Sequence, residues 1–213
     1  MNGKKLGKVV EEKDLGVIID SELKFHKHAA AAVKKANMKL GMIKKSFACL
    51  DENVMIPLYT SLVRSHLEYG NLIWGPHYKG DSIAIEKLQK RATKKVPAIK
   101  NLSYEERLRH LSLPSLQHRR RRGDMIFAYK LFTGKIGLEK ENIFSPSVKA
   151  VRGHEFRVIK RKATKLCRIN TFSNRIINDW NSLPQEIVAA PSTDSFKNYI
   201  DEYWKEEQFR TPF

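Results

Sequence analysis

The apolar positions of the chain follow two periods. Val9 and Val10, then Leu15, Val17, Ile18 and Ile19, cluster in short runs separated by the polar stretch Glu11-Glu12-Lys13-Asp14. Short apolar runs flanking a polar turn predict a two-stranded hairpin within residues 1–20, with Gly16 leaving room for another backbone to come close. From Phe25 to Phe47 the period lengthens. Ala29, Val33, Ala36, Leu40, Ile43 and Phe47 recur every three or four residues, the stripe of an amphipathic helix, and it continues through Gly41 despite that residue's poor helix propensity.

Helical signals continue. Asp51 suits an N-cap, Glu52 the first turn, and Leu58, Leu62 and Tyr69 one side of a second helix ending near Gly70. Pro57 either kinks that helix or marks its start. The connector Asn71–Pro76 carries Trp74. A third helix, capped by Asp81, runs to about Val96 on the apolar face Ile85, Leu88, Ala92 and Val96. Ser103 and Glu106 form a capping box for a fourth, ending at Leu111. A fifth spans Leu116 to Phe132 and stops at Gly134.

Scattered Gly and Pro make 135–150 a linker. Residues 149–170 then alternate basic and apolar, which reads as short strands or an extended basic arm. Two helices close the chain, Phe172 to Leu183 and another from Ser192 or Thr193 carrying Phe196, Tyr199, Ile200 and Tyr203. The expected fold is mainly α: a hairpin (1–20), a helical bundle (21–134), a linker (135–150) and a small basic α+β C-terminal segment (151–213).

Charge changes this picture most. Forty Lys and Arg against 23 Asp and Glu leave a net +17 over 213 residues, with a pI near 9.9. Such a surface attracts phosphate backbones through counterion release whatever their sequence, although a solvated basic surface is the plain alternative. Residues 1–135 hold 27 basic and 13 acidic residues and the remainder 13 and 10, so the excess lies in the bundle and the arm. Three groups are candidates for backbone contact: Lys87, Lys90, Arg91, Lys94 and Lys95 on the third helix; Arg119, Arg120, Arg121 and Arg122; and Arg157, Lys160, Arg161, Lys165 and Arg168 on the arm.

Each group has a bland counterpart. The helical stripe could be a solvated face, and the arm a solvated edge strand. The arginine run sits near a helix N-terminus, against the macrodipole, and needs an anion: Glu105, Glu106 or a phosphate. It also reads as a nuclear-localisation signal. Trp74 and Trp180 suit packing anchors better than base-stacking platforms.

Cys49 and Cys167 do not form a disulfide framework, so a reducing, intracellular compartment, nuclear or cytoplasmic, is expected. No Cys/His spacing suggests a metal, no apolar run suggests a membrane span, and no leader is expected after Met1. No nucleophile motif, small-molecule substrate or cofactor is indicated.

Taken in order, the segments resemble the region that follows the palm in reverse transcriptases of LINE-type, jockey-like retrotransposons. The resemblance rests on Asp14 to Asp20 with Leu23, Phe25 and His28; Tyr59 to Tyr69; Trp74-Gly75-Pro76; Leu88 to Lys94; and Leu102 to Leu108. It continues at Arg119 to Asp124 with Tyr129-Lys130, Arg152-Gly153-His154, Phe172 to Arg175, Trp180 to Pro184, and Ser195-Phe196-Lys197. Ser65 departs from the family's usual Pro.

The resemblance implies a thumb-like bundle that lays helices on RNA, DNA or an RNA–DNA hybrid, and a hairpin similar to a primer grip at Asp14, Leu15, Gly16 and Val17. An ordinary capping hairpin is the competing reading of those four residues. A palm domain is the other implied partner. The family's two-metal chemistry uses an aromatic-x-Asp-Asp motif, and no two Asp residues are adjacent here. The expectation is therefore a non-catalytic fragment, such as a truncated element copy, that begins downstream of the catalytic carboxylates.

Overall fold

The computed structural model describes residues 7, 9–145 and 153–213. The first residues of the expected hairpin, and residues 146–152 where linker and arm meet, lie outside the described residues.

Strand β1 (Glu11–Asp14) pairs antiparallel with β2 (Val17–Asp20), in the register Glu11↔Asp20 and Asp14↔Val17. The polar stretch expected to turn is thus itself a strand, and the turn is Leu15-Gly16. A two-residue hairpin loop matched to strand twist needs positive φ at both central positions. Leu15 sits at φ 44° and Gly16 at φ 87°. Gly16 adopts this without strain, and Leu15 is held by the Tyr69 hydroxyl, which donates to its carbonyl at 2.7 Å. The Leu15 side chain points to solvent, while Val17 is buried. A Cβ at Gly70 would stand 3.1 Å from Val17 Cγ2, so glycine there lets the hairpin seat on the helices.

Asp20 turns the chain into helix α1 (His26–Ser46). Its carboxylate accepts the backbone N–H groups of Glu22, Lys24 and Phe25 at 3.1, 3.1 and 2.7 Å. Helix α2 (Glu52–Leu58) starts at Asp51, whose side chain accepts from Val54 N at 2.9 Å. It continues through Pro57 and widens into a π-helical stretch (Tyr59–Arg64) before closing as α3 (Ser65–Glu68). The Ser61 hydroxyl donates back to the Pro57 carbonyl at 2.7 Å.

After α4 (Asn71–Trp74), helix α5 (Lys79–Thr93) begins two residues ahead of the expected cap. Tyr78 is the N-cap, and Asp81 lies in the first turn and pairs with His26 at 2.6 Å. Helix α6 (Tyr104–His110) has the full Ser103/Glu106 capping box. Helix α7 (Leu116–Phe132) starts on the Ser115 hydroxyl. The rest comprises α8 (Lys140–Ile143), α9 (Leu166–Ile169), α10 (Phe172–Arg175), α11 (Ile177–Ser182), α12 (Gln185–Val188) and α13 (Thr193–Tyr203).

Two apolar clusters form the interior. The first runs from Val17 to Leu116 and includes Tyr59, Trp74 and Leu88; the second runs from Met125 to Trp204 and includes Phe132, Trp180 and Phe196. Their division falls inside α7, not in 135–150, and Phe144 of that stretch is buried in the second cluster. Both Trp74 and Trp180 are packing anchors, donating to the Tyr69 and Phe156 carbonyls at 2.6 and 2.8 Å.

The arm is extended, and no strand longer than an isolated bridge at Val158 occurs among its described residues. The Asn181 amide does what a neighbouring strand would. It accepts from Val158 N at 3.1 Å and donates to Val158 O at 2.8 Å. Among the described residues no helix is long and apolar enough to cross a membrane.

Candidate nucleic-acid interface

Helix α5 packs beside α1, and two contacts fix their relative direction. His26 meets Asp81 near the start of both helices, and the Arg91 Nη2 donates to Asn37 Oδ1 at 2.8 Å, eleven residues further along α1 and ten along α5. The helices are therefore parallel neighbours. Ile85, Leu88 and Ala92 face the core, as the periodicity predicts. Lys87, Lys90, Arg91 and Lys94 recur at helical spacing on the outer face, with Lys95 just beyond, and all five are exposed.

The outer face is electrostatically unbalanced. Among the described residues none of these five side chains pairs with a carboxylate. Lys90 lies 4.7 Å from the Phe213 ring centroid and Arg91 meets only a neutral amide. Sequence reasoning missed the continuation on α1. Lys34 and Lys44, three residues before and seven after Asn37, share its helical face and are exposed. The signal was present in the polar positions of α1, whose apolar stripe alone drew attention.

A third face of α5 was also missed, because it is buried and polar. Glu86 accepts from the Tyr104 hydroxyl at 2.6 Å and from Leu116 N at 3.0 Å. Burial pushes its carboxyl above the usual range, against these hydrogen bonds and the charge of Arg120. Gln89 accepts from the Tyr59 hydroxyl at 2.6 Å and donates to the Pro114 carbonyl at 3.0 Å. Arg107 donates to Thr93 Oγ1 at 3.1 Å and to the Lys90 carbonyl at 3.4 Å, closing the α5 C-terminus with a cation where the macrodipole favours one. These contacts fix the roll of α5, and hence the direction in which its lysines project.

The arginine run is differently placed. Arg119 forms a two-pronged pair with Glu68. Arg121 grips Asp179 at 2.7 and 3.0 Å, also pairs with Glu207, and lies 4.0 Å above the Trp204 ring. Arg122 pairs with Asp201 at 2.5 and 2.7 Å. Arg120 is directed inward, and its Nη1 is buried with no hydrogen-bond partner among the described residues. Burial lowers the pKa of its guanidinium, against the attraction of Glu86, Glu68 and Asp124. The anions this run requires are therefore Glu68, Asp179, Asp201 and Glu207, not Glu105 or Glu106. The run ties α7 to α3, α11 and α13, and gives no free cationic patch.

On the arm, Lys160, Arg161, Lys165 and Arg168 are exposed and Arg157 is half-buried. Arg161 donates to the Ser145 hydroxyl at 2.8 Å. The hairpin tip at Leu15-Gly16 contacts Tyr69, and Val17 closes the α1/α4 end of the first core. The hairpin thus stands at the N-terminal end of the α1/α5 pair, whereas the lysine stripe occupies its C-terminal half. Among the described residues no group of three or more His, Cys, Asp or Glu could hold a metal ion.

No known protein-family model matches the chain, and no solved structure matches it. It is similar to an uncharacterized protein of Caenorhabditis elegans, 27% identical over 110 residues, which is 50% of this chain. The match spans 56% of that worm protein's length.

Proposed function

We propose that the chain holds nucleic-acid backbone, without reading sequence, on the outer face of α5 and the adjoining face of α1. It would do so as the thumb and C-terminal region of a LINE-type reverse transcriptase. The observation that carries this reading is the contrast between two cationic groups. Three of the four arginines of the run, Arg119, Arg121 and Arg122, are paired with the protein's own carboxylates and Arg120 is buried, whereas Lys87, Lys90, Arg91, Lys94 and Lys95 face solvent without a carboxylate partner among the described residues. Like charges at helical spacing repel in the free protein, and phosphates arriving along that face relieve the repulsion. Contacts of this kind position a duplex and leave base readout to other elements.

The sequence has no two adjacent Asp residues and so no aromatic-x-Asp-Asp motif, which supports a binding piece over a polymerase. Titration of a labelled RNA–DNA hybrid at several salt concentrations tests the reading. Log affinity should fall linearly with log salt, and affinity that ignores salt overturns it. Primer extension by the purified chain with template, dNTPs and Mg²⁺ would overturn the non-catalytic part.

A second reading, docking of a palm or another protein, is favoured by Met38 and Met42. They lie four apart on α1 and are both exposed. Flexible apolar side chains of this kind recur at protein-binding surfaces. Salt-independent association with a protein partner, without hybrid binding, would select it.

A further inference from the structure

Charge is reversed in one part of this basic chain. Residues 176–207 hold seven acidic and two basic residues within a protein of net +17. Arg121 and Arg122 neutralise Asp179, Glu207 and Asp201. Asp194 and Glu202 meet only the surface lysines Lys197 and Lys205, in exposed pairs that contribute little. Glu186 and Glu206 make no ion pair among the described residues.

Between α12 and α13 an open groove of about 520 Å³ sets part of this charge beside an aromatic pair. Tyr199 and Tyr203, 47% and 48% exposed, stand one helical turn apart, about 6 Å along α13. Pro191 and Ile187 add apolar lining, and Glu186 and Glu202 stand in the same wall. Neither tyrosine hydroxyl makes a hydrogen bond among the described residues. Tyrosine faces with adjoining carboxylates suit a cation on an apolar stem, and they repel the phosphates that the α5 face attracts.

The chain itself carries a segment of that chemistry, which the α5 face leaves unused. Residues 159–165 of the arm run extended, and Ile159, Lys160, Arg161, Lys162 and Lys165 are exposed. Lys160 reaches only the neutral Asn178 amide oxygen, at 3.5 Å, and Arg161 only the Ser145 hydroxyl. The side chains of Lys162 and Lys165 make no hydrogen bond or ion pair among the described residues. Alternate residues of an extended chain fall on one side about 6.6 Å apart, close to the rise between Tyr199 and Tyr203.

We propose that the groove between α12 and α13 takes the basic arm of a second copy of this chain. Cations of the arm lie over Tyr199 and Tyr203 and pair with Glu186 and Glu202, while Pro191 and Ile187 take their apolar stems. The net charge opposes contact between copies. At physiological ionic strength that repulsion is screened beyond roughly 8 Å, whereas the groove acts at contact. The proposal stands apart from the α5 face and does not depend on it.

Sedimentation equilibrium of the full chain, freed of nucleic acid and held at physiological ionic strength, tests it by charge exchange. Wild type should self-associate with rising concentration. One variant carries Glu186→Lys and Glu202→Lys, and another Lys160→Glu, Lys162→Glu and Lys165→Glu. Each should weaken association by about tenfold or more. All five side chains are exposed, so the melting temperature should hold in both. Mixing the two variants should restore association, because each arm then meets a groove of opposite charge.

The proposal is overturned by a wild-type chain that stays monomeric, by reversed variants that associate as wild type does, or by a mixture that stays apart. A monomeric chain that still binds the free peptide of residues 158–166 would assign the groove to a basic segment of another protein, and overturns the second copy as its occupant.

Discussion

Arg175 on α10 clasps Asp124 on α7 through two parallel hydrogen bonds, Nε to Oδ2 and Nη2 to Oδ1, each 2.8 Å. The same guanidinium donates to the Asn71 and Leu72 carbonyls at 3.2 Å, so one side chain joins α4, α7 and α10. Burial pushes the Asp124 carboxyl above its ordinary range, with Arg175 and Arg120 opposing it. Removing one member leaves the other charge poorly solvated and uncompensated. Asp124→Ala should lower stability by about 3 kcal/mol, measured by urea denaturation. The double variant with Arg175→Met should recover part of that loss, and a loss under about 1 kcal/mol for the single change would show that the pair is not a tie.

Charge reversal on α5 should act on binding and leave the fold intact. Lys87→Glu and Lys94→Glu each remove one phosphate contact and add a repulsion. Each should reduce the slope of log affinity against log salt by roughly one or more, while the melting temperature stays within about a degree. An unchanged slope for both would move the binding face away from α5.

Arg122→Ala should do the opposite. Its partner Asp201 lies on α13, so the substitution loosens α13 from α7, lowering stability by about 1 kcal/mol. The salt slope for RNA–DNA hybrid should not move. A reduced slope would mean that the arginine run opens to meet phosphate.

Acid should weaken the fold through histidine. His118 is buried beside Arg121 with its ring edge-on to Trp204, 5.9 Å between centroids. Burial, reinforced by Arg121, pulls its pKa down to about 4. Above pH 6.5 the ring is neutral in both folded and unfolded chains, and its contribution is fully present. Between pH 6.5 and about 4 the unfolded chain takes up a proton that the folded chain refuses, so stability falls with falling pH. The full effect is on the order of 3 kcal/mol. His28 and His154 are held below their ordinary values by burial as well and deepen the slope over the same region. His118→Gln should flatten the plot of unfolding free energy against pH in this window, and an unchanged plot would assign the acid sensitivity elsewhere.

At the entrance to α1, Asp20→Ala frees three backbone N–H groups and should cost about 1–2 kcal/mol. Burial tends to raise the Asp20 carboxyl, but the backbone donors of Lys24, Phe25 and Glu22 hold it below its ordinary range. This contribution is therefore present above the unfolded pKa and fades as pH falls through the folded one. Amide exchange at Glu22, Lys24 and Phe25 should quicken in the variant.

What the sequence made legible was periodic or capped. Ile85, Leu88 and Ala92 marked the buried face of α5, and Ser103 with Glu106 marked the start of α6, because helical spacing and capping are local. The Leu15-Gly16 turn was misplaced since Glu11 to Asp14 look like turn residues, and the contacts that seat the hairpin come from distant positions, among them the Tyr69 hydroxyl 54 residues away and the His28 ring. The arginine run misled for the same reason. Its partners Glu68, Asp179, Asp201 and Glu207 are scattered along the chain, so neutralisation by them is invisible until the chain folds. The α1 contribution to the basic face likewise depends on which helix stands beside α5.

One consequence of α7 extends beyond its contacts. Its first residue, Leu116, belongs to one apolar cluster and Met125 to Phe132 contribute to the other, so neither cluster keeps a complete wall if the helix frays. The two halves should melt as a single cooperative unit. A load applied to the α1/α5 face would pass along a continuous rod to α13, and whatever grips one end of the molecule would be felt as a tilt at the other.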